Sequence, residues 1–273
     1  MTQFNVVPQP QIGLAFDGLA QSYDDMFTRS LIGRAQRNAV WHVLAKVFTS
    51  GDRILELNCG TGEDAVFLSR RGVSVLACDA SERMVEVARH RVLLESLEEK
   101  VQIKQLPIEH LGTLSQFPQF DGVLSNFSGL NCVTDLVTMA RQLAPLVKPG
   151  APIVFCLCTR FSLFEIIWFL LRRRPRKAFR RTSGRALARL EDFDIQVQYP
   201  TLRELRRIFS IDFELRSCRG VGIFVPPSYA ESWARRNPKI LGMLESIDRL
   251  VCDLPGLRVI GDHFLVCFER VAS

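Results

Sequence analysis

Short apolar runs alternate with stretches of helical periodicity along most of the chain. Val40, Val43, Leu44 and Val47 recur at helical spacing and predict a helix over residues 31–48. Strands are predicted over residues 53–57, 73–78, 101–106, 120–125 and 152–158, with helices over 63–71, 81–97 and 133–147. Such alternation predicts right-handed βαβ units and a mostly parallel sheet that is covered on both faces.

The C-terminal third departs from this regular alternation. Thr201 and Glu204 have the spacing of a capping box for a helix that runs through Phe209. A strand within residues 213–225, a mainly helical stretch over 228–253 and a last strand over 263–269 follow. These strands bring the predicted total to seven.

The segment between these two parts is strongly basic. Ten basic and two acidic residues lie between Arg160 and Glu191, a net charge of +8, whereas the whole chain carries +6. Residues 161–181 (FSLFEIIWFLLRRRPRKAFRR) join an apolar run to an arginine cluster. Three interpretations stay open: contact with a membrane surface or lipid, a pocket for an anionic or large hydrophobic molecule, or a helix with solvated arginines. Aromatic residues are sparse after Phe169, so no nucleic-acid partner is expected.

The composition narrows the class of protein further. No apolar stretch reaches the roughly 18 residues of a membrane-spanning helix. The N-terminal MTQFNVVPQPQ lacks the pattern of a secretory signal, so a cytoplasmic protein is expected. Eight cysteines occur without a CxxC pair or zinc-finger spacing, which predicts reduced thiols and no metal site.

The most informative run is ILELNCGTGEDA, residues 54–65. A strand ends at an acid, Glu56, and Gly60 and Gly62 precede a helix start, so the backbone can approach a ligand closely. The same residues satisfy GxGxxA, the dinucleotide fingerprint, with Asp79 placed to hold a ribose. An NAD(P)-dependent oxidoreductase is therefore an alternative. Two acids at the helix start and the fifty residues before the first strand argue against it.

Together with later motifs, this run resembles the class I S-adenosylmethionine-dependent methyltransferases. Three later motifs follow in the order of that family: VSVLACDAS, FDGVLSNFSGLN and LAPLVKPGAPIVF. The final strand, DHFLVCFER, matches the family more weakly. The opening FDGLAQSYDDMF resembles the N-terminal lid of the branch that includes ubiquinone and menaquinone biosynthesis methyltransferases. The resemblance covers residues 14–158.

The pattern and the resemblance together predict the fold class and the organisation of the chain. We expect an α/β fold with a Rossmann-like, mostly parallel seven-stranded sheet, helices on both faces, an antiparallel last strand and a basic helical cap insertion. The expected parts are an N-terminal lid and helix (1–50), a cofactor-binding core (51–159), the cap insertion (160–200) and the completion of the sheet (201–273).

The resemblance implies a site for S-adenosyl-L-methionine. In the family, the first-motif acid anchors the methionine part, the glycine loop contacts the same region, and a second acid accepts bonds from both ribose hydroxyls. The implied cofactor-binding residues are Tyr23, Glu56, Asn58, Gly60, Gly62, Asp79, Ala80, Met84, Ile108 and Asn126, with Phe127 and Arg160 toward the substrate.

Two positions depart from the family's pattern. Asn58 stands where the family usually has glycine, and asparagine tolerates the left-handed conformation better than most residues. The usual acidic contact to the adenine amino group falls on Pro107 or Ile108, so adenine recognition would rest on backbone groups and apolar packing.

Methyl transfer from a sulfonium is an in-line displacement, in which positioning contributes about 7–11 kcal/mol and a base is optional. The candidate bases are Tyr23, His42, His110 and His263, and none is assigned. We expect a methyltransferase that acts on a small-molecule, hydrophobic or lipid-like acceptor. The alternatives are the NAD(P)-dependent oxidoreductase and a non-catalytic protein that binds a membrane or a partner.

Overall fold

The computed structural model describes residues 12–190 and 192–272. Its strands are β1 Arg53–Leu57, β2 Ser74–Asp79, β3 Val101–Gln105, β4 Gly122–Ser125, β5 Pro152–Cys158, β6 Arg185–Leu190, β7 Phe193–Gln198, β8 Phe213–Val221 and β9 His263–Arg270. Its helices are α1 Ile12–Asp17, α2 Ala20–Tyr23, α3 Leu31–Val47, α4 Glu63–Ser69, α5 Glu82–Leu94, α6 Leu136–Leu143, α7 Leu163–Leu171, α8 Pro175–Ala178, α9 Leu202–Phe209, α10 Glu231–Arg236 and α11 Pro238–Val251.

Seven of these strands form one sheet in the order β3-β2-β1-β4-β5-β9-β8. Strands β1 to β5 are parallel, and β9 runs antiparallel to both β5 and β8. The predicted α/β fold with a mostly parallel sheet and an antiparallel last strand is confirmed. The chain order reverses between β1 and β4, and ligands of such sheets bind at the carboxyl ends of the strands near that point.

Alternate side chains of the sheet enter two separate cores. On β5, Ile153 and Phe155 belong to the core that contains α6 and α9, whereas Val154 and Cys156 belong to the core that contains α3 and α4. This two-residue period is that of a strand buried on both faces. Helices on both faces therefore fix the position of the strand ends.

The predicted helix starts agree with the capping contacts. Ser81 caps α5 by accepting a hydrogen bond from the Met84 backbone N–H. Thr201 and Glu204 form both bonds of the capping box that begins α9.

The cap insertion differs from the prediction of a largely helical segment. Its first half contains α7 and α8, but its second half is a hairpin in which Arg185 pairs with Gln198 and Leu190 pairs with Phe193. Exposure alternates residue by residue along β6, which is the period of a strand. Alanine, leucine and arginine favour helices locally, so the antiparallel partner and the burial of one hairpin face override that propensity.

Over the described part of the chain, every helix is too short or too polar to cross a lipid bilayer.

Candidate active site

A cavity of about 300 Å³ lies at the carboxyl ends of β1, β2 and β4. Residues from the N-terminal helices cover one side of it, and the β6–β7 hairpin lines another. The lining comprises Ile12, Gly13, Phe16, Tyr23, Arg37, Asn58, Cys59, Gly60, Thr61, Glu63, Asp64, Asp79, Ala80, Met84, Ile108, Glu109, Asn126, Phe127, Ser128, Gly129, Cys132, Val133, Ala188, Leu190, Ile195 and Val197.

The loop after β1 turns through three left-handed residues. Asn58, Gly60 and Gly62 have φ values of 53°, 54° and 79°. A Cβ atom on Gly62 would lie 3.0 Å from Cβ of Ala88, so α5 packs tightly against this glycine. A Cβ atom on Gly60 would meet nothing within 4 Å, so Gly60 faces open space. Asn58 adopts the conformation that was expected of it.

Asp79 holds this loop from the end of β2. Its Oδ2 accepts a hydrogen bond of 2.8 Å from the Gly60 backbone N–H, and its Oδ1 accepts one of 2.9 Å from Ser81 N–H. Burial raises the pKa of Asp79, and the backbone N–H groups of Ser81 and Gly60 oppose that rise. Each carboxylate oxygen has two lone pairs, so both retain capacity for a ligand hydroxyl at the cavity wall.

Glu56 lies on β1, next to the loop but outside the cavity lining. Its exposed fraction is 1%, and its Oε2 atom has no hydrogen-bond partner among the described residues. Burial raises the pKa of Glu56 well above its ordinary value; Asp64 adds to the rise and Arg37 opposes it. Since an unpaired buried carboxylate is costly, a cationic or hydrogen-bonding ligand would satisfy this oxygen.

A buried network around Asp64 fixes the end of β4. The Asp64 carboxylate accepts hydrogen bonds from Trp41 Nε1 at 2.6 Å and Asn126 Nδ2 at 3.0 Å. It also forms an ion pair with Arg37 Nη1 at 2.7 Å, and the Arg37 guanidinium lies 4.8 Å from the centroid of the Phe127 ring. Asn126 and Phe127 are therefore held at the cavity wall.

Sequence reasoning missed Arg37, and it took Asp64 only as a charge at a helix start. Arg37 belongs to no local motif. Asp64 lies within the 54–65 run, but its partners come from α3 and from the end of β4, which that run does not reveal. The acids at the start of α4 also do not repel an anion as the sequence suggested, because Arg37 pairs with Asp64 and Arg91 pairs with Glu63.

The N-terminal segment from α1 to Thr28, here called the lid, is tied to the glycine loop. Asp24 accepts a hydrogen bond of 2.8 Å from Thr61 Oγ1 and forms an ion pair with Arg91. Arg91 Nε also donates to the Thr61 carbonyl at 2.7 Å. Tyr23 of the lid lines the cavity, and burial raises the pKa of its hydroxyl.

The structure brings together nine of the residues proposed from the sequence as cavity lining: Tyr23, Asn58, Gly60, Asp79, Ala80, Met84, Ile108, Asn126 and Phe127. Gly62 and Glu56 adjoin the same loop without lining the cavity. Arg160 is not brought to the cavity, because its guanidinium donates to the Tyr199 carbonyl and to Glu204 at the start of α9.

One of the candidate bases lines the cavity and the others do not. His42 and His110 are exposed and outside the cavity lining. His263 is buried behind Phe127, with ring centroids 5.6 Å apart. Of the four candidates, Tyr23 alone lines the cavity.

The described residues contain no cluster of histidine, cysteine and acidic side chains able to hold a metal ion.

The sheet order, the glycine loop after β1 and the acid at the end of β2 agree with the fold of the class I methyltransferases. Residues 54–150 match the family model described as "Methyltransferase domain". This part of the chain is therefore a methyltransferase domain of the S-adenosylmethionine-dependent type, and the resemblance found in the sequence is confirmed.

Two curated relatives carry the names of quinone biosynthesis enzymes. The demethylmenaquinone methyltransferase of Clavibacter sepedonicus is 32% identical over 148 residues, which cover 54% of this chain and 57% of the relative. The ubiquinone biosynthesis O-methyltransferase of Alkalilimnicola ehrlichii is 36% identical over 110 residues, which cover 40% and 43%. The chain thus spans about half the length of these relatives.

Solved structures share the fold over almost the whole chain. The cyclase SpnF superimposes with a TM-score of 0.66 at 13% identity and covers 99% of both chains. The DhpI–SAH complex superimposes with a TM-score of 0.60 at 17% identity and covers 97% of both. At such identities the likeness concerns the fold, and the presence of a cyclase shows that this fold does not by itself determine a reaction.

Proposed function

We propose that the protein transfers a methyl group from S-adenosyl-L-methionine to a small hydrophobic acceptor. The observation that carries the proposal is the unpartnered, buried Oε2 of Glu56 beside a loop whose other acid, Asp79, faces the cavity. An ammonium group and a ribose diol are the ligand groups that these two carboxylates would satisfy together.

The remaining residues fit the other parts of the cofactor. Gly60 leaves open space for close backbone approach, and Ala80, Met84 and Ile108 offer an apolar surface for a purine ring. Tyr23 and Asn126 lie among the residues that would surround the sulfonium. When bound, S-adenosyl-L-methionine supplies an activated methyl group, so the protein's task is to orient the acceptor and exclude water.

The acceptor is proposed to be a hydrophobic, quinone-like molecule. The four hairpin residues of the cavity, Ala188, Leu190, Ile195 and Val197, are all apolar, and Val133 adds to the same wall. An apolar wall selects acceptors by burial rather than by charge. The names of the curated relatives support the same class of acceptor.

Calorimetric titration with S-adenosylhomocysteine tests the cofactor assignment. Asp79→Ala should weaken binding about 10- to 100-fold, because hydrogen bonds to a charged group contribute about 1.5–3 kcal/mol. The matched control is Asp25→Ala, since Asp25 is an exposed lid acid that forms an ion pair with the exposed Arg29. Unchanged affinity in Asp79→Ala, or binding of NADH instead of S-adenosylhomocysteine, would contradict the proposal.

We also propose that the protein contacts anionic membranes through α7 and the basic turn after it. One side of α7 packs on a small core through Phe164 and Trp168. Its opposite side exposes Leu163, Ile167, Leu170 and Leu171. Their spacing of four, three and one residues forms a continuous apolar stripe toward solvent.

The charge next to this surface supports an anionic membrane as its partner. Arg172, Arg173, Arg174, Arg176 and Lys177 follow the stripe directly, are all exposed and are interrupted by no acid. Exposed apolar side chains next to basic ones match the boundary between acyl chains and anionic headgroups. Such a surface would bring the protein to a membrane in which hydrophobic acceptors dissolve.

Flotation with phosphatidylglycerol–phosphatidylcholine vesicles tests the membrane contact. Leu171, with an exposed fraction of 79%, is changed to serine, and Leu250→Ser on α11, exposed at 81%, is the matched control. Binding should fall several-fold in Leu171→Ser and stay unchanged in the control. The contact would be refuted if the wild-type protein did not bind anionic vesicles. It would also be refuted if the protein covered this face by forming dimers at the same concentration.

A further inference from the structure

Four polar side chains lead from the cavity wall into the protein. Ser128 lines the cavity, and its Oγ lies 2.9 Å from Sγ of Cys158. Cys158 ends β5 and is paired across the sheet with His263, the first residue of β9. His263 Nδ1 lies 3.4 Å from Asp262 Oδ2. The row thus ends at a buried carboxylate.

The backbone at the cavity end of this row is strained. Phe127 and Ser128 are consecutive non-glycine residues with φ values of 45° and 70°. Such conformations cost about 1 kcal/mol or more each and persist only where surrounding contacts impose them. Asn131 fixes the other side, because its side chain accepts a bond from the Cys158 N–H and donates to the Cys158 carbonyl. The local structure therefore holds Ser128 against Cys158.

The charges around Cys158 favour a thiolate paired with an imidazolium. Burial alone would raise the pKa of Cys158, but His263 and Arg181 together hold it below its ordinary value. Burial alone would lower the pKa of His263, but Cys158 and Asp262 hold it above its ordinary value. The neighbouring thiol of Cys132 has a pKa raised by burial to about 12, so the effect is specific to the pair.

The remaining charged groups near the pair balance one another. Arg181 donates to Asp262 Oδ1 at 2.9 Å and to Glu165 Oε2 at 2.6 Å. Arg180 donates twice to Glu165. Two guanidinium groups thus face two carboxylates, and the hydroxyl of Tyr199 has a pKa that burial raises to about 12. An ion pair of Cys158 and His263 adds no net charge to this cluster.

We propose that Ser128, Cys158 and His263 form a proton relay that serves a hydroxyl acceptor in the methyl-transfer site. The inference rests on the proposed methyltransferase function. With S-adenosyl-L-methionine bound, its S–CH₃ bond would break as the acceptor's O–CH₃ bond forms, and the electron pair would stay on sulfur as a neutral thioether. Ser128 would take the proton released from the acceptor's O–H bond and pass its own proton to the Cys158 thiolate. The product thiol stays beside the His263 imidazolium and returns its proton to solvent. His263 and Asp262 are positioning residues, because they act through Cys158.

A thiolate titration tests the relay without any acceptor. Absorbance at 240 nm is followed against pH for the wild type and for Cys158→Ser, and the difference reports the ionisation of Cys158. It should titrate below the ordinary cysteine value of about 8.5. His263→Gln should move it to higher pH, whereas Ser128→Ala should move it less. A Cys158 that titrates at or above the ordinary value in the wild type overturns the relay.

Turnover of a prenylated catechol with labelled S-adenosylmethionine adds a second readout. Ser128→Ala and Cys158→Ser should each lower kcat about 10- to 100-fold, within or below the range of general-base catalysis. The acidic limb of the pH profile should move to higher pH in His263→Gln, because the Cys158 thiol then ionises at higher pH. A structural role alone would lower the activity without moving this limb, and that result would also count against the relay.

Calorimetry separates the two proposals. S-adenosylhomocysteine should bind the wild type and Cys158→Ser equally, because Cys158 lies outside the cofactor residues. Normal binding with an ordinary Cys158 titration refutes the relay alone. Absent binding by the wild type refutes the proposed function itself.

Discussion

Glu56 and Asp79 are both carboxylates on neighbouring strands, but they differ in their hydrogen-bond partners. Two backbone N–H groups satisfy Asp79. Glu56 is buried more deeply and keeps one oxygen without a partner. A residue whose environment destabilises its own charge is typical of a binding site, where a ligand supplies the hydrogen bond or opposite charge that the residue lacks.

Glu56→Gln should make the cofactor-free protein more stable at neutral pH and weaken cofactor binding. Below about pH 4.3, Glu56 is protonated in both the folded and unfolded states, so the wild type and the variant should be similarly stable. As pH rises above that value, the unfolded state releases the Glu56 proton at lower pH than the folded state does, because burial raises the pKa of folded Glu56, so the wild type loses stability. Urea unfolding should show a gain of about 1–3 kcal/mol in Glu56→Gln at pH 7.5. Equal stability of the two proteins at every pH would contradict this account.

At the residue scale, the sequence indicates which residues lie together when they belong to one short motif. Asn58, Gly60 and Asp79 lie in short motifs, and the structure gathers them around one loop. Arg37 carries no such signal, because its role comes from burial against Asp64, 27 positions away in another helix. Arg160 was expected to lie toward the substrate, but its guanidinium donates to Glu204 at the start of α9 instead.

The lid is held by one arginine that reaches three elements. Arg91 of α5 contacts Asp24 in the lid, the Thr61 carbonyl in the glycine loop and Glu63 in α4. The lid itself is made of two short α-helices and a π-helical turn over Asp24–Thr28, which have little stability of their own. Arg91 therefore helps to hold the lid closed, together with the bond between Asp24 and Thr61.

Arg91→Ala should open the lid. Loss of partly buried, charged hydrogen bonds costs about 1.5–3 kcal/mol each, so the open population should rise about tenfold or more. Chymotrypsin should then cleave faster at Phe16, Tyr23 or Phe27, and S-adenosylhomocysteine should slow that cleavage. Arg89→Ala, an exposed position on the same helix, is the control. Equal cleavage rates in the two variants would show that Arg91 does not hold the lid.

The elements of the core and the helices of the insertion were predictable, whereas the hairpin of the insertion was not. Core strands such as β2 and β5 are short apolar runs bounded by turn residues, a pattern typical of buried strands. Strand β6 reads RALARL, whose residues favour a helix when taken alone. Its conformation depends on pairing with β7 and on burial of Ile195, which are tertiary effects.

At the scale of the whole molecule, buried ion pairs join the insertion to the last strand of the sheet. Arg181 follows α8, and it bonds both Glu165 of α7 and Asp262 beside β9. All three side chains are buried. The insertion is thus fastened to the sheet by charge as well as by apolar packing.

Arg181→Met should destabilise the protein by about 3–5 kcal/mol, because it leaves the buried Asp262 without its guanidinium partner and leaves Glu165 with Arg180 alone. Urea unfolding at pH 7 measures the loss. The double variant Arg181→Met/Asp262→Asn should recover part of it, since one of the two charges is then removed. Arg185→Met, on the exposed face of the hairpin, is the control. A wild-type midpoint in Arg181→Met would mean that the cluster contributes nothing to cohesion.

The hairpin has a consequence for how this protein can diverge. The donor half of the cavity is built from loops of the sheet, where a substitution disturbs the core of the fold. The apolar hairpin residues belong to a surface excursion whose strands pair only with each other. Under the proposed function, substitutions in the hairpin can therefore change which acceptor is bound without disturbing the residues proposed to bind the methyl donor.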